Sequence, residues 1–145
     1  MFKKFMLWIG VLTVILSFSG CMANKPFKKS QIKSDKALVY VYGPASLIYR
    51  GTPYYVFVNG KTVATIINNS YVPLYVTPGD VTISLRTYDY FKKIIDKKVY
   101  KFEKGKTYFI RVKSGLYGSF KLQKVDTKTG MEEIKKTNFY ENSLK

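Results

Sequence analysis

From Ala37 onward, turn residues cut the chain into short apolar runs, and that spacing favours layered β-structure over any helical fold. Ala37–Tyr42 reads Ala-Leu-Val-Tyr-Val-Tyr, apolar on both faces, as a central strand must be. Tyr54–Val58 and Lys61–Ile67 flank Asn59-Gly60, the strongest short hairpin signal. Ser70–Val76 follows, then a Pro78-Gly79-Asp80 turn and the run Val81–Thr87. In that run Val81, Ile83 and Leu85 alternate with Thr82, Ser84 and Arg86. Lys97–Glu103 and Lys106–Val112 flank Lys104-Gly105, and Ser119–Val125 sets Phe120 and Leu122 against Lys121 and Gln123. Thr127–Gly130 reads as a turn, and Met131–Lys136 as one helical turn before a polar tail over 137–145. The expectation is an all-β chain: a single antiparallel β-sandwich of seven or eight strands over 37–136. Thirteen tyrosines and ten phenylalanines suit pleated, half-buried surfaces. A stacking platform for glycans or lipids is the functional alternative, although the only tryptophan, Trp8, lies in the leader.

That leader is the second constraint. Lys3 and Lys4 form a cationic start, Phe5–Leu16 an uncharged apolar stretch, and Ser17-Phe18-Ser19-Gly20 brings small residues up to Cys21. The pattern resembles a bacterial lipoprotein signal peptide, with Phe18 where Leu is usual. The resemblance implies cleavage after Gly20 and acylation of Cys21, palmitate included. Two other readings fit the same residues. Cleavage after Ser19 would give plain secretion, and retention would give an anchor, short for a span of ~20 residues. Cys21 has no second thiol to pair with. Met22 in place of Asp resembles the sorting pattern for the outer membrane, facing the periplasm. Residues 21–36 are polar and basic, and read as a flexible tether.

The 125 residues after the leader suffice for one domain with its own core. The formal charge of +16 becomes +14 without Lys3 and Lys4, and Arg50, Arg86 and Arg111 are the only arginines. Lysine excess suits diffuse attraction to polyanions rather than bidentate phosphate recognition. The partners expected are the membrane through the lipid, and an anionic envelope polymer or a protein. Nucleic acid is excluded by export. The plain alternative is that the lysines are solvated edges that suppress aggregation.

Candidate chemistry is sparse. No histidine is present, which removes the commonest general base and metal ligand. With Cys21 committed to lipid, no thiol nucleophile or thiolate metal site is expected, and no cofactor beyond the covalent lipid. The carboxylates are Asp35, Asp80, Asp89, Asp96, Glu103, Asp126, Glu132, Glu133 and Glu141, none marked as a catalytic pair. Gly115-Leu-Tyr-Gly118 lacks the context of a phosphate loop and reads as a hairpin connection. The segment Tyr88–Ile95 joins aromatics to two lysines. Tyr90, Phe91, Lys92 and Lys93 are therefore the candidate contacts with a membrane or partner, and the alternative is that Ile94 and Ile95 cover one end of the sandwich.

Lys36–Pro44, Tyr55–Lys61, Ser70-Tyr71, Tyr75–Gly79 and Gly105–Val112 occur in an order that resembles the bacterial domain-of-unknown-function family 2846. The resemblance implies a sandwich of the transthyretin-like or peptidase-regulatory-like kind, and no established activity. The functional expectation is a non-enzymatic binding or structural module of the cell envelope. The alternative is a carboxylate-dependent hydrolase of a glycan or peptide.

Overall fold

The computed structural model describes residues 25–45 and 52–140. These form nine strands: β1 Ala37–Gly43, β2 Tyr54–Val58, β3 Lys61–Ile66, β4 Ser70–Val76, β5 Gly79–Thr87, β6 Ile94–Phe102, β7 Thr107–Ser114, β8 Phe120–Val125 and β9 Asn138–Phe139. One helix, α1, spans Thr127–Ile134. The strands build two sheets, β8-β7-β1-β4-β9 and β3-β2-β5-β6, which face each other as a sandwich. The all-β sandwich is therefore present. It is mixed rather than wholly antiparallel, because β1 runs parallel to β7 and β4 parallel to β9.

Strand β1 is buried along its whole length, as its two apolar faces require. Ala37, Val39 and Val41 join Val56, Ile83, Leu85, Ile110 and Leu122 between the sheets. Leu38, Tyr40 and Tyr42 point the other way, into a second cluster with Tyr71, Phe109 and Ile134. Burying both faces of a sheet demands a third layer, and α1 together with residues 25–36 supplies it.

The segment expected as a flexible tether is, over residues 25–36, a strap on the outer face of the first sheet. Phe27 packs its ring 5.5 Å from Tyr40 and 5.1 Å from Tyr71. Tyr71 Oη accepts from Lys28 N at 3.0 Å, Tyr40 Oη accepts from Ser30 N at 2.7 Å, and Tyr75 Oη donates to Gln31 O at 2.5 Å. A single aromatic residue in a polar stretch thus finds an aromatic bed, and three phenols satisfy the strap's backbone.

The helix also departs from expectation. Asp126 caps α1 by accepting from Thr129 N at 2.9 Å, so the helix starts at Thr127 where a turn was expected. Gly130 lies inside it and marks a close approach to Phe109 rather than a turn.

Tyr100, on β6, carries a testable peculiarity. Its hydroxyl is buried without a hydrogen-bond partner among the described residues. Burial, with a contribution from the Asp96 charge, pushes its pKa up from 10.0 to about 12. Below pH 10 folded and unfolded chains both keep the phenol proton. Between pH 10 and 12 the unfolded chain loses it first, so stability falls as pH rises, by up to ~1.4 kcal/mol per pH unit for this group. Tyr100→Phe should flatten that fall and leave stability at pH 7 unchanged or up to ~1 kcal/mol higher. Urea midpoints at pH 7 and pH 11 check this. An equally steep alkaline loss in the variant would count against it.

Candidate functional site

The most enzyme-like constellation lies between α1 and the first sheet. Tyr42 Oη donates to Glu133 Oε2 at 2.5 Å, and Arg111 Nη1 contacts Glu133 Oε1 at 2.5 Å. Arg111 Nη2 also donates to Gln123 Oε1 at 2.8 Å. Burial and then the Glu133 hydrogen bond and charge raise the Tyr42 pKa well above the usual phenol range, while the Arg111 charge opposes them. The phenol therefore stays protonated and donates, and the carboxylate is spent on an ion pair. This cluster fastens α1 to β1 and β7.

Other carboxylates are similarly engaged. Asp96 Oδ2 accepts from Leu122 N at 2.7 Å, Asp126 caps α1, Asp89 Oδ1 accepts from Lys92 N at 2.8 Å, and Glu103 pairs with Lys106 on the surface. Among the described residues no three acidic, His or Cys side chains gather to hold a metal ion. A small cleft of about 30 Å³ between Gly43, Tyr54, Ile66, Val112 and Phe120 has room for about one water molecule, while wider open clefts of about 330 and 590 Å³ flank the strap at Tyr40 and Phe109 and at Tyr71 and Tyr75.

Tyr90, Phe91, Lys92 and Lys93 form the tip of the β5–β6 hairpin. Thr87 N donates to Lys93 O at 2.9 Å and Thr87 Oγ1 accepts from Lys93 N at 2.9 Å, so a tight turn holds Tyr90 and Phe91 at its apex. They are 93% and 84% exposed, with ring centroids 5.6 Å apart. Lys92 adopts a positive φ of 45° and sends its ammonium back over the Tyr55 ring, 5.3 Å from the centroid. Lys93 has no side-chain partner among the described residues. Ile95 packs against the core, whereas Ile94 stays half-exposed. Cys21 lies outside the described residues.

Sequence reasoning missed the second half of this end. Gly115 N donates to Ser119 O at 2.7 Å, closing the β7–β8 hairpin around Leu116 and Tyr117. Leu116 is 82% exposed and Tyr117 fully so. Tyr117 sits at φ 58°, in the left-handed region where a bulky side chain is disfavoured. The sequence did contain a signal: an apolar pair between two glycines, at a turn apex where Asn, Asp or Gly is the rule.

The two tips lie on one end of the sandwich. Leu122 N bonds Asp96, and Lys98 Nζ donates to Leu122 O at 2.7 Å, which ties β6 to β8 across the open edge. Phe91 and Tyr117 each precede that tie by five residues, along strands that run the same way. A register shift between Leu85 and Arg86 bulges β6 at Ile95, just behind the first tip. Tyr54 and Phe120 meet at 4.9 Å beneath the tips. Behind the second tip Lys113 and Lys121 stand directly opposite each other across β7 and β8, both exposed, a destabilising juxtaposition.

Among the described residues no helix is long and apolar enough to cross a membrane. No curated protein matches the chain in sequence. A family described as "Protein of unknown function (DUF2846)" matches residues 33–121, from the end of the strap through the two hairpin tips to the start of β8. The match covers more than half of the chain and runs through both sheets, so the chain belongs to the DUF2846 family.

Proposed function

We propose that the protein is a lipid-anchored module of the bacterial cell envelope, held to a membrane through acylated Cys21 and acting by binding rather than catalysis. The observation that carries this reading is the short distance between the leader and the fold. Pro26 already bridges to Asn138 and Phe27 is already packed, only five and six residues after Cys21. A lipid on Cys21 would therefore hold the folded domain at the membrane surface rather than on a long leash. The structural employment of Glu133, Asp96, Asp89 and Asp126 supports a non-catalytic role. Its partner class is an anionic envelope component, favoured by a lysine-rich chain whose formal charge of +16 falls only to +14 without Lys3 and Lys4. The outer membrane, on its periplasmic side, is the proposed address.

Cys21→Ala should abolish incorporation of labelled palmitate and leave the protein either unprocessed, with its leader attached, or soluble. Equal labelling of the variant would refute the anchor. Density fractionation of the native protein separates outer from inner membrane.

A further inference from the structure

We infer that the end of the sandwich carrying Tyr90, Phe91, Leu116 and Tyr117 is an interfacial docking surface for the anionic phospholipid bilayer that bears the protein's own anchor. The inference deepens the proposed function and takes its geometry from the strap. Lys25 O accepts from Phe139 N at 2.9 Å, and Asn138 N donates to Asn69 O at 3.1 Å. Asn138 pairs with Ser70, Ser70 with Gly43, and β1 runs parallel to β7 towards Ser114. The first described residues therefore lie at the end with the two tips. From there the strap runs the length of the sheet to the opposite end, where the Lys36 ammonium reaches Thr77 Oγ1 at 3.3 Å. Lys25 lies four positions after Cys21, at most about 14 Å of chain. That reach would keep a lipid on Cys21 at this end of the sandwich.

The two ends differ in chemistry as such an orientation demands. Turns at the far end are Asn59-Gly60, Thr77-Pro78 and Glu103–Lys106, all polar or conformationally suited to turning. At the near end the β5–β6 and β7–β8 turns place apolar side chains at their apices, beside a polar β3–β4 turn at Asn68-Asn69. Those four are the most exposed large apolar residues among the described ones. Holding Tyr117 at positive φ and setting Lys113 against Lys121 both oppose folding, and neither serves the core. Aromatic tips ringed by lysines suit the headgroup boundary, where rings enter the apolar margin and ammonium groups meet phosphate. Asp89, the acid within the first tip, is turned inward onto Lys92 N.

The test uses the lipidated protein purified from membranes, in a Trp8→Phe background so that any uncleaved precursor adds no tryptophan. Single reporters are Phe91→Trp, Tyr117→Trp and, at the far end, Lys104→Trp. Each is placed on phosphatidylethanolamine–phosphatidylglycerol vesicles with brominated acyl chains. Both tip reporters should shift to the blue and be quenched several-fold more than the far-end reporter. Lys113→Glu with Lys121→Glu should reduce that quenching, and so should molar salt. Tip reporters left unquenched on protein that floats with the vesicles would overturn the docking surface while leaving the anchor standing. Equal quenching of all three reporters would overturn it as well. A chain beginning at residue 22, with neither leader nor lipidated cysteine, separates the two ideas. Flotation unchanged in that variant, with its tips still quenched, upholds docking and removes the lipid anchor from the explanation.

Discussion

Phe109→Ala should destabilise the domain by about 3–5 kcal/mol, the range for deleting a fully buried aromatic ring. Phe109 is 1% exposed, stacks on Tyr40 at 5.4 Å, and lies in the cluster that joins Ile134 of α1 to the outer face of the first sheet. Its loss opens a cavity where three elements meet, and the short helix has little other apolar surface with which to close it. Urea unfolding of wild type and variant gives the difference directly. A loss below ~1 kcal/mol would mean that α1 and the strap collapse into the space, and that the third layer is adaptable rather than jigsaw-packed.

Gly130→Ala should also destabilise, by about 2 kcal/mol, although alanine is the better helix former by ~1 kcal/mol. A methyl group at residue 130 would sit 2.5 Å from Phe109 Cβ and 2.7 Å from its Cδ1. Because Cβ is fixed to the strand backbone, no rotation of the ring relieves the clash, and α1 must lift away from β7. The two sites are therefore coupled. In a Phe109→Ala background the ring atoms are gone but the Cβ contact at 2.5 Å remains, so Gly130→Ala should still destabilise, by less than in the wild type. A double-mutant cycle measures this, and additive effects would show that the helix is not seated on Phe109.

Alkaline instability follows from Tyr42 as well as Tyr100, since burial raises both phenols and neither ionises readily in the fold. The two differ in consequence. Tyr42 donates to Glu133 and serves the attachment of α1, while the Tyr100 hydroxyl serves nothing among the described residues.

What was legible in advance was local. Ala-Leu-Val-Tyr-Val-Tyr specified a strand buried on both faces, and β1 is that strand. Asn59-Gly60 specified a hairpin, and both residues take the positive φ values, 49° and 80°, that such a turn needs. Alternation placed Ile83, Leu85 and Leu122 in the core. Apolar residues beside lysines marked Tyr90–Lys93 as unlike the other turns. Each of these signals rests on turn chemistry or on a side-chain period of two, and both act within a few residues.

The tertiary structure decided what depends on distant surfaces meeting. The parallel pairing of β1 with β7 joins segments some seventy residues apart, and no local pattern distinguishes it from an antiparallel neighbour. Residues 25–36 lack periodicity, yet Phe27 and the phenols of Tyr40, Tyr71 and Tyr75 turn them into a strap. Gly130 reads as a turn until Phe109 is seen against it. Leu116 and Tyr117 read as a hairpin connection until the Asp96–Leu122 tie sets them beside Tyr90 and Phe91. By itself the sequence determined β1–β8 and the turns between them, because those follow from short-range sterics, whereas β9 fell in what read as a polar tail. Only the packed sandwich decided which turns share an end and at which end Lys25 lies, because burial of apolar faces, not proximity in sequence, chooses the neighbours.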